Sequence, residues 1–564
     1  MKKFKYLPIL ALVGTGSLFA QPTDIGRIEI SITDKYKAKV EEANMFLDFP
    51  SFKDTSTEKM EVKYQIFSEA VDVQFRPKTL PPLKIKSLKL EKLPRGLFRF
   101  GYGFYNTPLA DLYYNSGRST KYNFGFSARH YSTQKGVDGI VFDNNAISNN
   151  FIGAHLNRFY KDLAWNTSAE AKFNKVSYYG VDRIPIGETV PEELDPNANW
   201  YRQFGINSQL LSTNGKGMAW LQKLGLTYYN LTDDYSTMEN NLELKSRIDI
   251  PSGAEKINTD LNLSYFRTDY DSISKFSQSY LTLQFHPKIS STKNDWSFDF
   301  GVNLYYNSAF KSDEDEISGN VYFFPELIVR YPIVKDVLTS YAGWEGELIQ
   351  NSVSSLFEEN PYLNPGQELK PSRKTDLFVG LNGILSSSAS FNIKGGFMSV
   401  VDQALFYRNP FYYFDSIQPG LDIQYDKIDR YYIRGELGFN FKNNLQINLN
   451  GELNSFILTN AEEAWHLPKF RAGLNSVYTL KQKLKFKADV DYIGERVAFA
   501  QEDNADLSNT LSAYVDLGIG IEYLYNSRIS AFINTNNLLN SNYEYYLGYR
   551  TQNINVLFGL TYQF

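Results

Sequence analysis

The feature that most constrains this chain is an alternation of apolar and polar residues that returns in one segment after another. In "WSFDFGVNLYY", residues 296–306, every second residue is aromatic or aliphatic, and most residues between them are polar or glycine. Side chains of a β-strand point alternately to the two faces of its sheet, so each such segment has one apolar and one polar face. The pattern therefore predicts strands rather than helices.

From Gly96 onward the alternating segments are about 10–15 residues long, the length expected for tilted membrane strands. Examples are "LFRFGYGF" (97–104), "NLELKSRIDI" (241–250), "KLKFKADVDY" (483–492) and the chain's last residues, "NINVLFGLTYQF" (553–564). In these segments we expect ionic residues on one face only, where they line a lumen or pair with each other in its wall. The charged residues concerned are Arg99, Glu243, Lys245, Arg247, Asp249, Lys485, Lys487, Asp489, Asp491, Asp516 and Glu522.

The connections between segments alternate in length. Short polar turns occur near residues 118, 161, 214, 252, 442, 481 and 525, and longer excursions span 134–147, 181–198, 308–319, 351–371, 401–425, 494–510 and 536–552. Outer-membrane barrels have short turns at one end and long loops at the other, whereas a filled sandwich does not require this asymmetry. We predict an all-β fold: a transmembrane antiparallel up-and-down β-barrel of about 22 strands over residues 96–564, closed by pairing its last strand with its first.

The residues before this barrel divide into two segments. Lys2, Lys3 and Lys5 precede an apolar stretch that ends at Ala20, which predicts a signal peptide over residues 1–20, an uncleaved anchor being the alternative. Residues 21–95 have mixed charge and several prolines, and we interpret them as a periplasmic or partial plug segment, or else a disordered spacer. The expected location is the cell outer membrane, reached by export with a cleaved signal peptide.

Composition excludes several classes of function. The chain has no cysteine, so it offers no disulfide and no thiolate metal site. Its net charge is -5 without a basic tract, so we expect no nucleic-acid partner. The mean hydropathy of -0.37 fits a barrel, because lipid-facing and lumen-facing residues average out along each strand.

Candidate catalytic and metal-binding residues are sparse. The four histidines, His130, His155, His286 and His466, lie far apart in sequence and show no metal-ligand spacing. We therefore expect no enzyme, no cofactor and no metal site, although barrel closure leaves a Ser/His/Asp set open. The acidic run "SDEDEISGN" (312–320) offers Asp313 and Asp315 as Ca²⁺ ligands or, alternatively, forms a solvated loop tip.

Two stretches resemble a known family. "ENPYLNPGQELKPSRKTDLFVGLNGIL" (359–385) resembles the mid-barrel signature of TonB-dependent receptors, and "FINTNNLLNSNYEYYLGYRTQNINVLFGLTYQF" (532–564) resembles their last two strands. The resemblance implies an outer-membrane receptor barrel with a plug, coupled to TonB for uptake. Here only residues 21–95 lie between the predicted signal peptide and the barrel, too few for a complete plug, and no TonB box is found. The resemblance therefore does not predict TonB coupling for this chain.

Two aromatic clusters in the predicted long loops are candidate ligand or partner contacts. They contribute Phe406, Tyr407, Phe411, Tyr412, Tyr413, Phe414, Tyr543, Tyr545 and Tyr546. Aromatic rings of this kind stack on sugars or anchor a partner protein, and the alternative is an aromatic girdle with loop packing.

The leading functional prediction is an outer-membrane transport channel or receptor for an unidentified solute. Its expected partners are outer-membrane lipid, the solute and an envelope protein that seals or gates the lumen. The alternative is a non-transporting accessory or scaffold subunit of an assembly, export or surface-protein complex. An outer-membrane enzyme is the third hypothesis.

Overall fold

The computed structural model describes residues 94–564, apart from 139, 141–144, 181–197, 214–219, 253–254, 272–274, 313–317, 410, 414–415, 419, 443 and 503–504. The chain forms β1 (Gly96–Gly103), β2 (Thr107–Asn115), β3 (Tyr122–Thr133), β4 (Ile147–Phe159), β5 (Leu163–Ser177), β6 (Ala198–Ser212), β7 (Leu221–Thr232), β8 (Thr237–Ser252), β9 (Glu255–Tyr270), β10 (Phe276–Lys293), β11 (Trp296–Lys311), β12 (Ser318–Val334), β13 (Leu338–Ile349), α1 (Val353–Glu359), β14 (Ser372–Ser386), β15 (Ala389–Arg408), β16 (Phe411–Tyr413), β17 (Ser416–Gln418), β18 (Leu421–Phe441), β19 (Leu445–Leu458), β20 (Phe470–Leu480), β21 (Leu484–Ile493), β22 (Arg496–Glu502), β23 (Ala505–Leu511), β24 (Tyr514–Leu524), β25 (Ile529–Asn536), β26 (Glu544–Tyr546), β27 (Tyr549–Arg550) and β28 (Asn555–Gln563).

Twenty-two of these strands form one closed antiparallel barrel, which confirms the predicted fold class and strand number. The last strand, β28, pairs with β1 from Leu97↔Gln563 to Gly103↔Leu557. The terminal Phe564 completes the seam, because its carbonyl oxygen accepts the backbone N–H groups of Arg95 and Gly96. Closure leaves no sheet edge, so the ladder satisfies backbone groups that lipid could not.

The seam is shaped by glycines under an aromatic ring. Gly101 of β1 lies opposite Gly559 of β28, and the ring of Phe532, on β25, covers both. A Cβ atom at Gly559 would lie 2.2 Å from the Phe532 ring and 2.4 Å from the Phe100 carbonyl oxygen. The guanidinium of Arg99 lies over the same Phe532 ring, 4.8 Å from its centre. Only glycine fits at position 559.

The outer surface of the barrel is an apolar belt. Exposed large apolar residues of the belt include Phe100, Ile206, Phe300, Leu377, Ile433 and Leu560. The neighbours of these residues along each strand face inward, and Arg99, for example, is 7% exposed. The expectation of ionic residues on one face only fails above the belt: Arg267 and Asp269 form an outward-facing ion pair near the end of β9. Charged pairs are tolerated there because the strand extends beyond the apolar belt.

The two ends of the barrel differ, as the connection lengths predicted. We call the end that carries the start of β1 and the end of β28 the inner rim, and the opposite end the outer rim. Inner-rim turns are tight: Asn294 and Asp295, between β10 and β11, have φ values of 50° and 67°, as a type I′ hairpin turn requires. The outer rim carries α1 and the three additional hairpin pairs β16–β17, β22–β23 and β26–β27.

The predicted excursion at 401–425 is shorter than expected. Residues 401–425 are largely strand, since β15 continues to Arg408 and β18 begins at Leu421, with the two paired to their ends. Leu405 on this extension and Ile428, three residues beyond it on β18, are buried against Trp465 of the 459–469 loop. The extension is stable because a second layer covers it above the belt.

Several expectations fall on residues outside the described ranges. These are the signal peptide, nearly all of the 21–95 segment, and the possible Ca²⁺ ligands Asp313 and Asp315. No helix in the described part of the chain is both long enough and apolar enough to cross a membrane.

Replacing the seam glycine tests the closure. We expect Gly559→Val to destabilise the barrel by about 1–3 kcal/mol or more, because the added methyl groups overlap the Phe532 ring and the Phe100 carbonyl oxygen. Semi-native gel electrophoresis measures this as the temperature at which the folded, faster-migrating band disappears, which should be lower for the variant than for the unmodified protein. The control is Leu560→Val at the next residue, whose side chain is 60% exposed on the belt. Equal stability of both variants would contradict the proposed packing.

Candidate functional site

The connection between β13 and β14, residues 350–371, turns into the barrel and packs on the inward-facing side chains near the outer rim. We call it the inserted loop. It contains α1, capped at its start by Ser352 in a capping box with Ser355. A Pro365–Gly366 turn follows, in which Gly366 has a φ of 81°, a value that favours glycine. The inserted loop therefore has a defined path rather than an open one.

A buried carboxylate of the barrel wall holds the start of α1. Glu239, on the inner face of β8, is 0% exposed and accepts the backbone N–H of Val353 at 2.6 Å and that of Ser354 at 3.3 Å. The Tyr229 hydroxyl donates to the same carboxylate at 3.1 Å. These hydrogen bonds compensate the desolvation of Glu239 and satisfy helix N–H groups that have no partner within the helix. Glu239 thus latches the inserted loop to the wall.

The second half of the inserted loop is bonded to β10 and β11. Tyr280, on β10, donates to the Leu369 carbonyl oxygen at 2.6 Å, and Gln278 accepts the Leu369 N–H at 3.1 Å. Lys311, on β11, forms an ion pair with Glu368 at 2.6 Å. These contacts fix both backbone groups of Leu369, which is completely buried.

Strand β18 provides a further attachment. Leu363 forms a parallel bridge with Leu421, and the Leu421 N–H donates to the Tyr362 carbonyl oxygen at 2.9 Å. The Asp422 carboxylate accepts the side-chain amides of Asn364 and Gln367 at 2.7 and 2.8 Å. The inserted loop is therefore bonded to the wall at β8, β10, β11 and β18, and it crosses the outer end of the lumen.

A group of tyrosines, Tyr178, Tyr179, Tyr362, Tyr546 and Tyr549, packs the inserted loop against other outer loops; we call it the tyrosine cluster. The rings of Tyr362 and Tyr549 stack with centroids 3.5 Å apart. The Tyr178 hydroxyl donates to the Leu363 carbonyl oxygen at 2.8 Å, and the Tyr546 hydroxyl donates to that of Glu359 at 2.8 Å. Burial raises the pKa of Tyr362 to about 12, so its hydroxyl keeps its proton at neutral pH.

The aromatic residues singled out from the sequence are mostly packed on other protein groups. Phe406 is buried against the Tyr546 ring, and Tyr407 packs against the stacked pair of Trp465 and Phe499. Tyr543 stacks on Tyr514 at 3.8 Å, and its hydroxyl hydrogen-bonds that of Tyr545 at 3.1 Å. Phe411, Tyr412 and Tyr413 form β16, and Phe414 lies outside the described residues. A ligand or partner contact for these residues stays a prediction.

The four histidines are separated in space as they are in sequence. His155 contacts Asn123, His286 lies between Asp260 and Glu326, and His130 contacts Asn150. His466 is buried in the outer loops, where burial and the nearby Arg496 lower its pKa to about 3, so it is neutral. Within the described ranges, no group of three histidine, aspartate or glutamate residues could hold a metal ion.

The lumen wall carries the charged residues predicted for it, many of them paired. Arg247 pairs with Asp260 at 2.8 Å, and Lys256 with Asp249 at 3.0 Å. On β18 to β20, Arg434 and Arg471 each reach one oxygen of Glu452 at 2.7 Å, and Arg430 binds the other. The wall is thus stiffened by ion pairs while remaining polar.

A polar recess of about 750 Å³ lies in this wall, towards the inner rim. Its polar lining residues are Asn392, Arg434, Glu436, Asn448, Asn450, Glu452 and Arg471, and Phe391, Leu437 and Leu449 line it as well. Two arginines and two glutamates make its lining electrically balanced, and its carboxamides both donate and accept hydrogen bonds. Inward-facing Gly438 leaves room in it, since a Cβ atom there would meet nothing closer than Ser390 Oγ at 3.2 Å.

Solved structures share this architecture at low sequence identity. An iron transporter, FrpB, from Neisseria meningitidis matches with a TM-score of 0.64 and 10% identity, covering 84% of this chain and 82% of its own. The ferric-catecholate import receptor Fiu from E. coli matches with a TM-score of 0.62 and 9% identity, again covering 84% and 82%. The chain has the barrel fold of TonB-dependent outer-membrane receptors.

A third likeness is to the outer-membrane ferripyoverdine receptor of Pseudomonas aeruginosa bound to ferripyoverdine. It has a TM-score of 0.61 and 13% identity, and it covers 84% of this chain and 73% of the receptor. No protein-family model and no curated protein sequence matches the chain. The sequence resemblance to the receptor family is thus confirmed as a likeness of fold.

Sequence reasoning missed Glu239 and the inward path of the inserted loop. Glu239 stands on the polar face of its strand like other lumen charges, and no local signal separates it from Glu243. Its partner, the Val353 N–H, is 114 residues away. The Asn-Pro at 360–361 and the Leu-Lys-Pro at 369–371 belong to the family-like stretch and indicate a loop, but they do not indicate that it turns into the barrel.

Removing the latch tests the attachment of the inserted loop. Glu239→Ala leaves the Val353 and Ser354 N–H groups without their acceptor, a cost of about 1–3 kcal/mol. We expect hydrogen-exchange protection of these two amides to fall by about tenfold to hundredfold. The control is Glu243→Ala on the same face of β8, where the glutamate pairs with Lys245 and accepts the Asn241 side-chain amide. Unchanged protection in Glu239→Ala would show that the latch does not hold the loop.

Proposed function

We propose that the chain is an outer-membrane channel or receptor that passes a small polar solute, with the inserted loop setting the opening of its outer end. The observation that carries this proposal is the inserted loop itself, which crosses a polar lumen and is bonded to several strands of the wall. A scaffold needs a stable surface, but it does not need a polar passage crossed by a latched loop.

The lumen wall supports a solute path. The recess offers carboxamides and balanced charges beside Phe391, Leu437 and Leu449, which suits a hydrated polar solute. The receptors with the same fold named above are an iron transporter, a ferric-catecholate import receptor and a ferripyoverdine receptor. We propose the general activity, solute passage or capture at the outer membrane, for this chain and leave the solute unassigned.

The inserted loop supports gating. Its attachments are hydrogen bonds and ion pairs, which exchange with water at modest net cost, around a small buried core of tyrosine rings. A loop held in this way has a closed arrangement that a ligand or partner can shift by binding an open one better. The proposed gate is therefore the whole inserted loop, released from its attachments to β8, β10, β11 and β18.

A disulfide lock tests the gate. Leu363 and Leu421 are bridge partners, and the chain contains no cysteine, so Leu363→Cys with Leu421→Cys creates a single defined crosslink. We expect lower conductance in planar bilayers when the pair is oxidised than when it is reduced, in the full chain or in a form lacking residues 21–95. The single-cysteine variants control for oxidation itself. Absence of conductance in every form would refute the channel and favour an accessory subunit.

Filling the recess tests the solute path. Gly438 faces the recess and Gly435 faces lipid, three residues away on the same strand, with nothing within 4 Å of its would-be Cβ. We expect Gly438→Phe to reduce solute flux into liposomes and Gly435→Phe to leave it unchanged. A liposome-swelling assay with neutral sugars of increasing size measures both. Equal flux through the two variants would place the path elsewhere in the lumen.

A further inference from the structure

Three polar side chains meet on the lipid-facing surface of β3 and β4. His130 and Ser132 lie two residues apart on the outer face of β3, and Asn150 is directly opposite His130 on β4. Ser132 Oγ is 3.3 Å from His130 Nε2, and His130 Nδ1 is 2.6 Å from Asn150 Oδ1. A hydroxyl, an imidazole and a carboxamide therefore form one hydrogen-bonded line, on the surface opposite to the lumen.

The network selects one tautomer of the neutral imidazole. The Asn150 amide nitrogen donates to the Phe173 carbonyl oxygen at 2.9 Å and to Ser148 Oγ at 3.0 Å. A carbonyl oxygen can only accept, so the amide nitrogen faces Phe173 and Asn150 Oδ1 faces the histidine. A neutral His130 then carries its proton on Nδ1 and presents the Nε2 lone pair to Ser132. This is the tautomer that a general base needs to activate a serine.

The site lies at the edge of the apolar belt nearest the outer rim. Below it on the same face are Phe126 and Ile152, which are 39% and 48% exposed. Beside it, on β5 and β6, Lys175 lies 6.0 Å from the Trp200 ring, next to Arg202. An aromatic ring with basic side chains above apolar ones is typical of the headgroup level of a membrane. The serine is thus placed where the ester groups of a membrane lipid lie.

The neighbouring strands leave room for a substrate. Ala110 of β2 is the cross-strand partner of His130, so the residue directly opposite the imidazole on that side has only a methyl group. Ser148 is the cross-strand partner of Ser132, and its oxygen already accepts the Asn150 amide. Its own proton can therefore donate to an oxyanion that forms next to Ser132.

We propose that Ser132, His130 and Asn150 form a catalytic site that hydrolyses the acyl ester of a membrane lipid. Ser132 Oγ attacks the ester carbonyl carbon while its proton passes to His130 Nε2. The tetrahedral intermediate expels the alcohol, which takes that proton, and an acyl-Ser132 ester remains. Water then attacks the acyl group, gives one proton to His130, and releases the fatty acid as Ser132 recovers its proton. Asn150 is a positioning residue that holds the imidazole in its active tautomer.

Purified full-length protein in mixed micelles gives the test. The substrate arms are phosphatidylethanolamine and lipid A, both of which carry acyl esters, and released fatty acid is measured by mass spectrometry. Labelling with a fluorophosphonate probe reports the activated serine independently of turnover. We expect labelling of Ser132 and release from at least one lipid. We expect Ser132→Ala and His130→Ala each to lower release by about a thousandfold or more.

Matched variants separate catalysis from folding. Ser455→Ala removes a lipid-facing serine on β19 and should keep full activity. Asn150→Ala should lose activity and Asn150→Asp should recover much of it, since a carboxylate also holds the Nδ1 proton. Each variant is checked for the heat-modifiable folded band. Folded protein that neither labels nor releases fatty acid overturns the proposal, as does activity that survives in Ser132→Ala. The channel and gate experiments are unaffected by either result, because these residues face away from the lumen.

Discussion

The pairing of β28 with β1 is the contact on which the rest of this structure depends. Each strand within the belt is exposed to lipid on one face, where no water can hydrogen-bond a free backbone group. Antiparallel neighbours satisfy every strand except the first and the last, which must therefore satisfy each other. The ladder from Leu97↔Gln563 to Gly103↔Leu557 does so, and Gly101 and Gly559 allow the two strands to meet beneath Phe532.

Closure creates a wide polar interior whose charged and polar side chains need partners. The wall is too wide for its own side chains to fill, so the chain uses ion pairs along the strands and a loop across the outer end. The attachments of the inserted loop differ in kind around the circumference: a buried carboxylate at β8, tyrosine and amide hydrogen bonds at β10, and a backbone bridge at β18. Release of the loop would therefore require several unlike contacts to break together, so the proposed gate is expected to have two states rather than a graded opening.

Features that depend on neighbouring residues could be predicted from the sequence, and features that depend on residues far apart in the chain could not. Alternation within a strand, such as Trp296 to Tyr306, is set by neighbouring residues, so the strands, their number and the closed barrel could be predicted. The direction of the 350–371 loop depends on Glu239, Tyr280 and Asp422, which belong to strands far away in the chain. Their inward positions follow from strand register, and register is fixed only when all strands have paired.

Strand register also explains why the polar group on the outer face of β3 could not be predicted from the sequence. Arg129 and Tyr131 face the lumen, where Arg129 pairs with Asp111 at 2.8 Å, while His130 and Ser132 face lipid. In the sequence these residues are consecutive, and the histidines looked isolated because Asn150 was not known to lie opposite His130. The only local signal was a histidine and a serine with period two near the end of an alternating segment. A strand with period two can carry separate chemistry on each face, so the proposed passage through the lumen and the proposed reaction at the lipid surface use different residues.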